Sequence, residues 1–138
     1  MTAAPLAALD SQVRRFFDAF SRASDTLDVD ALAECFGEAF LAADAAGARP
    51  VSRAAFLQAL PRRTQMFADA GVGRAQLDGL TYQQLDEHYL LARTEWTAPR
   101  IDGGDPVRLS SSYLLRRDGD GLCIVLYLNH QGLPPARP

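Results

Sequence analysis

Apolar side chains return every three or four positions through Leu6, Leu9, Val13, Phe16, Phe17 and Phe20. That spacing predicts an amphipathic helix, with Arg14, Arg15 and Asp18 largely off its apolar stripe. Asp28 is placed to cap a short second helix that runs to about Cys35 and buries Val29, Leu32 and Phe36. Glu38 to Ala43 reads as a short strand, and Ala45-Ala46-Gly47-Ala48-Arg49-Pro50 as a loop. Ser52 is a good cap for a third helix that turns Phe56, Leu57 and Leu60 inward. Pro61 is expected to kink or restart that helix, because it lacks an N–H and clashes with the preceding turn. The helical pattern then resumes through Met66 and Phe67 and stops at Gly71, a C′ glycine.

From Arg74 onward the period shortens to two, which predicts strands near 75–85, 88–98, 106–117 and 121–131. Asp86-Glu87 and Asp118-Gly119-Asp120-Gly121 are the tight turns, and Pro99 to Pro106 is a longer, mobile loop. The alternation also sorts faces. His88, Leu90, Ala92, Thr94 and Trp96 share a face expected to meet the helices, and so do Val107, Leu109, Ser111, Tyr113 and Leu115. The last strand is apolar on both faces, with Leu122, Ile124, Leu126 and Leu128 on one and Cys123, Val125 and Tyr127 on the other. A sheet covered on one side only would not need this. Val125 and Tyr127 are therefore expected to face outward, onto a second copy of the chain. Helices first and long strands last make an α+β domain, with three N-terminal helices packed on a strongly bent antiparallel sheet.

Composition narrows the function more than the fold. The 138 residues are 48% hydrophobic and 22% charged, with net charge -3. This is the range of one ordinary globular domain spanning 1–138, with a core over about 6–131 and an extended tail from 132. The acidic balance argues against a nucleic-acid partner, and Arg14-Arg15 and Arg62-Arg63 read as solvated helix faces. No segment is long and apolar enough for a membrane span, and the N-terminus lacks a signal-peptide pattern, so a cytoplasmic protein is expected. Cys35 and Cys123 lack metal-ligand spacing and read as buried small hydrophobes. No metal and no cofactor is expected: two distant histidines do not make a metal site, and a phosphate-cradling glycine loop is missing.

The order of elements, together with Asp28-Val29-Asp30-Ala31-Leu32-Ala33-Glu34-Cys35-Phe36 before a strand and Tyr113-Leu114-Leu115-Arg116-Arg117-Asp118-Gly119-Asp120-Gly121 before the last one, resembles the nuclear transport factor 2-like superfamily. Its members include ketosteroid isomerases and polyketide-cyclase-like proteins of the SnoaL type. The resemblance covers roughly residues 6–131 and implies a cone-shaped, cystatin-like domain that dimerises through the outer sheet face. Family members commonly carry a tryptophan where Leu122 stands here. Against the isomerases, the general-base aspartate falls at Asp44. Their helix tyrosine falls near Phe20, which has no hydroxyl, and their strand acid falls near Tyr113, which has one. The resemblance therefore implies one base and one donor, short of the full isomerase set.

Each candidate has two readings. Asp44 is a pocket carboxylate able to accept a proton, or a loop aspartate that caps a turn. Tyr113 donates to a ligand oxygen, or satisfies a partner such as Ser111 inside the core. Phe16, Phe20 and Trp96 line a pocket or fill the core. His130 is a ligand-binding or basic group at the pocket end, or a satisfied strand-end histidine. The serines at 110–112 lack a nucleophile elbow. Two functions follow. One is the binding of a small apolar molecule, with isomerase- or cyclase-type proton transfer needing no cofactor. The other is a non-catalytic, homodimeric interaction module.

Overall fold

The computed structural model describes residues 6–119 and 121–131. The expected tail from 132 and Asp120 of the last turn lie outside the described residues. Three helices, α1 (Leu6–Thr26), α2 (Val29–Cys35) and α3 (Arg53–Asp69), accompany six strands: β1 (Phe36–Asp44), β2 (Gly47–Ser52), β3 (Gln76–Gln84), β4 (Tyr89–Ala98), β5 (Val107–Asp118) and β6 (Gly121–Asn129). The strands form one curled sheet in the order β2-β1-β6-β5-β4-β3. Fold class and long strands agree with the sequence reading. One pairing does not: β1 runs parallel to β6, and the other neighbours are antiparallel. A parallel neighbour needs a crossover connection, and the whole stretch from β2 to β5 supplies it.

Helix ends follow local chemistry. Asp28 accepts from the Ala31 N–H and Ser52 from the Ala55 N–H, the two expected N-caps. Gly71 closes α3 at φ 75°, with Gly71 N–H bonded to Ala68 O and Val72 N–H to Phe67 O. These two bonds make a Schellman cap. The end of α1 uses the same geometry, Asp28 N–H reaching Ala23 O at 2.9 Å. There the left-handed position holds Leu27, at φ 52°, where glycine would be unstrained.

Three expectations need correction. Residues 47–50 belong to β2 instead of a loop, and pair with β1 through Leu41 and Pro50, Ala42 and Arg49, and Asp44 and Gly47. Pro50 fits because β2 is an edge strand, where a missing N–H costs no ladder bond. Helix α3 runs unbroken through Pro61. Pro61 is exposed, so water can satisfy the carbonyl its ring leaves unbonded. The Pro99–Pro106 connection is pinned at its start, with Gly73 N–H on Pro99 O, Ile101 N–H on Gly71 O and a bridge between Val72 and Arg100.

The core lies between the inner sheet face and the helices. Leu9, Val13, Phe17 and Phe20 of α1 pack with Leu32 and Phe36, and with Leu90, Ala92, Tyr113, Leu115 and Ile124 of the sheet. These strand residues are the set that alternation turned inward. The last strand departs from simple alternation. Leu115 pairs with Ile124 but Leu114 pairs with Leu126, so Val125 is an extra residue, a β-bulge. Beyond it the faces exchange. Tyr127 stands opposite Tyr113 with ring centroids 5.1 Å apart, so it points into the domain and not outward. The outer face instead carries leucines in register across four strands: Leu91 opposite Leu114, Leu114 opposite Leu126, and Leu126 opposite Leu41.

Candidate functional site

A cavity of about 560 Å³ opens between the inner sheet face, the end of α1 and the inner side of α3. Its size falls within the range of small-molecule sites. Phe56, Leu60, Arg63 and Phe67 reach it from α3 at spacings of four, three and four, which is one face of a helix. Trp96, Leu109, Ser111, Tyr113, Tyr127 and Asn129 reach it from the sheet, and Phe20 and Leu27 from the end of α1. Ile101, 72% exposed, borders it from the β4–β5 connection.

A hydrogen-bonded strip of side chains lies along the sheet wall. Trp96 Nε1 donates to Thr94 Oγ1 at 2.7 Å, and Thr94 Oγ1 lies 3.4 Å from Ser111 O. The Tyr113 hydroxyl bonds to the side chains of Thr94 and Ser111. Tyr113 is 1% exposed. Burial first, and the neighbouring Tyr127 phenol second, push its pKa above the ordinary tyrosine value. It therefore stays protonated and can act only as a neutral hydroxyl, never as a base near neutrality.

Arg63 stands at the other end of the strip. Its Nη2 donates to Tyr127 Oη at 3.2 Å, and the guanidinium carbon lies 5.5 Å from the Tyr127 ring centroid and 5.8 Å from that of Phe56. The Tyr127 oxygen supports its charge against the cost of burial, with a smaller contribution from Tyr113, so the pKa lies above the usual arginine value. Among the described residues no carboxylate forms an ion pair with it. The Asn129 side chain, which faces the same space, has no protein partner among the described residues either.

A second hollow of about 520 Å³ lies between α3 and the β1–β2 hairpin. Phe56, Arg63, Tyr127 and Asn129 line both spaces and form a wall common to the two.

The structure thus gathers Phe20, Trp96, Ser111 and Tyr113 at the main cavity and places the other candidates elsewhere. Asp44 borders the second hollow, with Oδ1 accepting from Ala46 N–H at 2.8 Å, the turn-capping arrangement. Phe16 is stacked on Phe20 at the edge of the core and does not line the cavity. His130 meets Ser112 Oγ at 2.8 Å through Nε2, on the opposite sheet face from Ser111, outside both spaces. Ser112 and Ser111 are consecutive in a strand, which is why their partners diverge. Cys35 is buried and Cys123 partly so; burial pushes Cys35 up to about 11.

Sequence reading missed Arg63, Tyr127 and Asn129. A signal for Arg63 was present: it continues the Phe56–Leu60–Phe67 stripe, so it belonged to the inward, half-buried face, while the adjacent Arg62 is exposed. Tyr127 and Asn129 were hidden by the bulge, which no alternation rule locates in a strand apolar on both faces.

A family model described as NTF2-like protein (DUF6841) matches residues 8–132. An NTF2-like protein of unknown function from Pseudomonas putida superposes with a TM-score of 0.72 at 15% identity, covering 97% of this chain and 96% of that one. A protein of unknown function with a cystatin-like fold from Nostoc punctiforme gives 0.69 at 14% identity, covering 97% and 98%. A protein of Novosphingobium aromaticivorans with a provisional designation as an aromatic ring hydroxylase gives 0.66 at 20% identity, covering 93% and 91%. At these identities the likeness concerns the fold. No curated protein matches the chain. No described helix is long and apolar enough to cross a membrane.

Proposed function

This chain belongs to the NTF2-like family DUF6841, and from that premise we propose that it binds a small, largely apolar molecule in the cavity between α3 and the inner sheet face. The observation that carries the reading is the wall chemistry: Phe20, Phe56, Phe67, Trp96 and Leu109 supply apolar surface, and Ser111, Tyr127 and Asn129 supply a few convergent polar groups. That mixture is what small-molecule sites use to gain affinity and fix orientation. Ring-shaped ligands suit it, since flat faces surround the space. Free cysteines fit a cytoplasmic site of action.

Binding is better supported than proton transfer. Isomerase-type chemistry requires a base within hydrogen-bond reach of the reacting carbon's proton. Asp44 faces the neighbouring hollow, and one of its carboxylate oxygens is held by a backbone N–H. Tyr113 can steady Ser111 and Thr94 and offer a neutral hydroxyl, which is a positioning role. The test is a thermal-shift and calorimetric titration with aromatic carbonyl compounds. A ligand at 100 times its Kd stabilises by about 2.7 kcal/mol. Leu109→Trp, which narrows the cavity, should weaken that binding. Binding undiminished by the narrowing would sink the assignment.

The outer leucine row favours a second, compatible reading, association of two copies through that face. Leu91 is 42% exposed there, and Leu114, Leu126 and Leu41 continue the row without a helix over them. An identical row on a second copy is self-complementary, as a two-fold interface requires.

A further inference from the structure

We propose that the ligand of this cavity carries a carboxylate, and that Arg63 receives it. The inference rests on the small-molecule reading above and deepens it.

Arg63 uses one donor, on the Tyr127 hydroxyl, out of the five its guanidinium offers. The remaining donors lie next to the Phe56 and Tyr127 rings, in a wall that is shared by two cavities and that Asn129 also lines. Withdrawing a cation from water is costly unless an anion or a full set of acceptors replaces the water. Here the protein supplies a phenol oxygen and two ring faces, and among the described residues no carboxylate. The nearest acid on the hollow's lining, Asp44, is turned to Ala46. The other charged groups on the lining of the main cavity, Asp25 and Arg74, are exposed to solvent. An incoming carboxylate would meet a fork of N–H groups in the geometry that pairs with it bidentately.

The charge count selects among anions. Arg63 is the one arginine on either lining that is not exposed, Arg74 in the main cavity and Arg49 and Arg62 in the second hollow being open to solvent. One such cation balances one negative charge, which matches a carboxylate. A phosphate monoester carries close to two at neutral pH and would leave the second in an apolar space. The body of the ligand is set by the opposite end, where Phe20, Trp96 and Leu109 offer apolar surface. The substrate class is therefore an aromatic or alicyclic monocarboxylic acid, bound with its acid group toward α3 and its ring toward β4 and β5.

The test compares naphthalene carboxylate with naphthalene carboxamide, equal in shape and different in charge, on the full chain by calorimetry. Wild type should bind the carboxylate at least tenfold more tightly. Arg63→Met should erase that preference and keep carboxamide binding. Arg63→Lys, which keeps the charge and loses the fork, should retain only part of it and serves if the methionine variant fails to fold. Equal binding of both compounds to wild type overturns the carboxylate inference and leaves the cavity as a ligand site. Binding of neither compound, at concentrations where the folded protein is intact, overturns the ligand-site reading and this inference with it. A preference that persists in both variants shows that Arg63 is not the receptor.

Discussion

Arg63 and Tyr127 are joined twice: the guanidinium donates to the phenol oxygen at 3.2 Å and lies over the phenol ring at 5.5 Å from its centroid. The two residues come from α3 and β6, so the pair ties a helix to the last strand across the cavity wall. Tyr127→Phe removes the hydroxyl and keeps the ring. The expected loss is about 1.5–3 kcal/mol of stability, the usual worth of one hydrogen bond to a charged group. Urea denaturation of the variant checks it. A loss above about 3 kcal/mol would mean that the hydroxyl supports more than Arg63.

Phe17 should be the costliest ring to remove. It is fully buried and meets Phe16 and Tyr113 at 5.1 Å and Phe20 at 6.3 Å. Phe17→Ala should cost about 3–5 kcal/mol, as cavity-forming substitutions of buried aromatics do. The half-exposed partner of the same cluster, Phe16→Ala, should cost clearly less. Chemical denaturation of both, side by side, decides whether the cluster is centred where the geometry puts it.

Leu27 holds a left-handed conformation at the end of α1 and also lines the cavity. Leu27→Val places a branched side chain at that φ and should destabilise by about 1–2 kcal/mol. Leu27→Gly relieves the strain while loosening the unfolded chain, so the two effects should nearly cancel. Equal losses for valine and glycine would locate the effect in the side chain's packing instead of its backbone.

Asp10 links α1 to β3. Its carboxylate bonds to Arg14 and accepts the Tyr82 hydroxyl at 3.0 Å, and these two partners hold its pKa below the ordinary value. The folded form prefers the ionised acid, so the contribution is present above the unfolded pKa of about 3.9 and is lost as pH falls through the lower folded value. Tyr82→Phe should move the Asp10 titration upward, toward the ordinary value, in carboxyl-resolved NMR. An unmoved titration would leave Arg14 as the sole cause.

Thiol chemistry should separate the two cysteines. With its pKa near 11, Cys35 has about a thousandth of its thiol ionised at pH 8 and should resist alkylation until the chain unfolds. Cys123, partly exposed on the outer sheet face, should react first, and peptide mapping after brief labelling reads the order.

Sedimentation tests the outer leucine row. A dimer at micromolar concentration is expected, and Leu91→Lys should weaken it without changing the circular dichroism spectrum. A monomeric wild type would remove the second reading proposed above.

The strands were legible because aromatic and branched residues alternate with polar ones from Leu77 to Tyr113 in a period that helices cannot use. Helix starts were legible because Asp28 and Ser52 are side chains with a specific capping bond to make. What escaped depended on neighbours distant in sequence. Gly47 to Pro50 has turn-like composition and becomes a strand only because β1 offers it a ladder. Tyr127 faces the cavity only because Val125 is accommodated as a bulge. Arg63 was concealed by its neighbour: two adjacent arginines suggest a solvated face, although a helix turns consecutive residues about 100° apart.

The parallel partnership of β1 and β6 has a consequence for the order of assembly. β6 is the sole link between the β1–β2 hairpin and the β3–β4–β5 meander. Until it docks, the chain holds two separate pieces of sheet whose union spans most of its length, the kind of distant pairing that slows folding. Both wall residues from β6, Tyr127 and Asn129, arrive in that same step. A chain cut short in the last turn would lose the whole enclosure instead of one side of it, and ribosome-bound intermediates lacking β6 should be unable to retain any ligand.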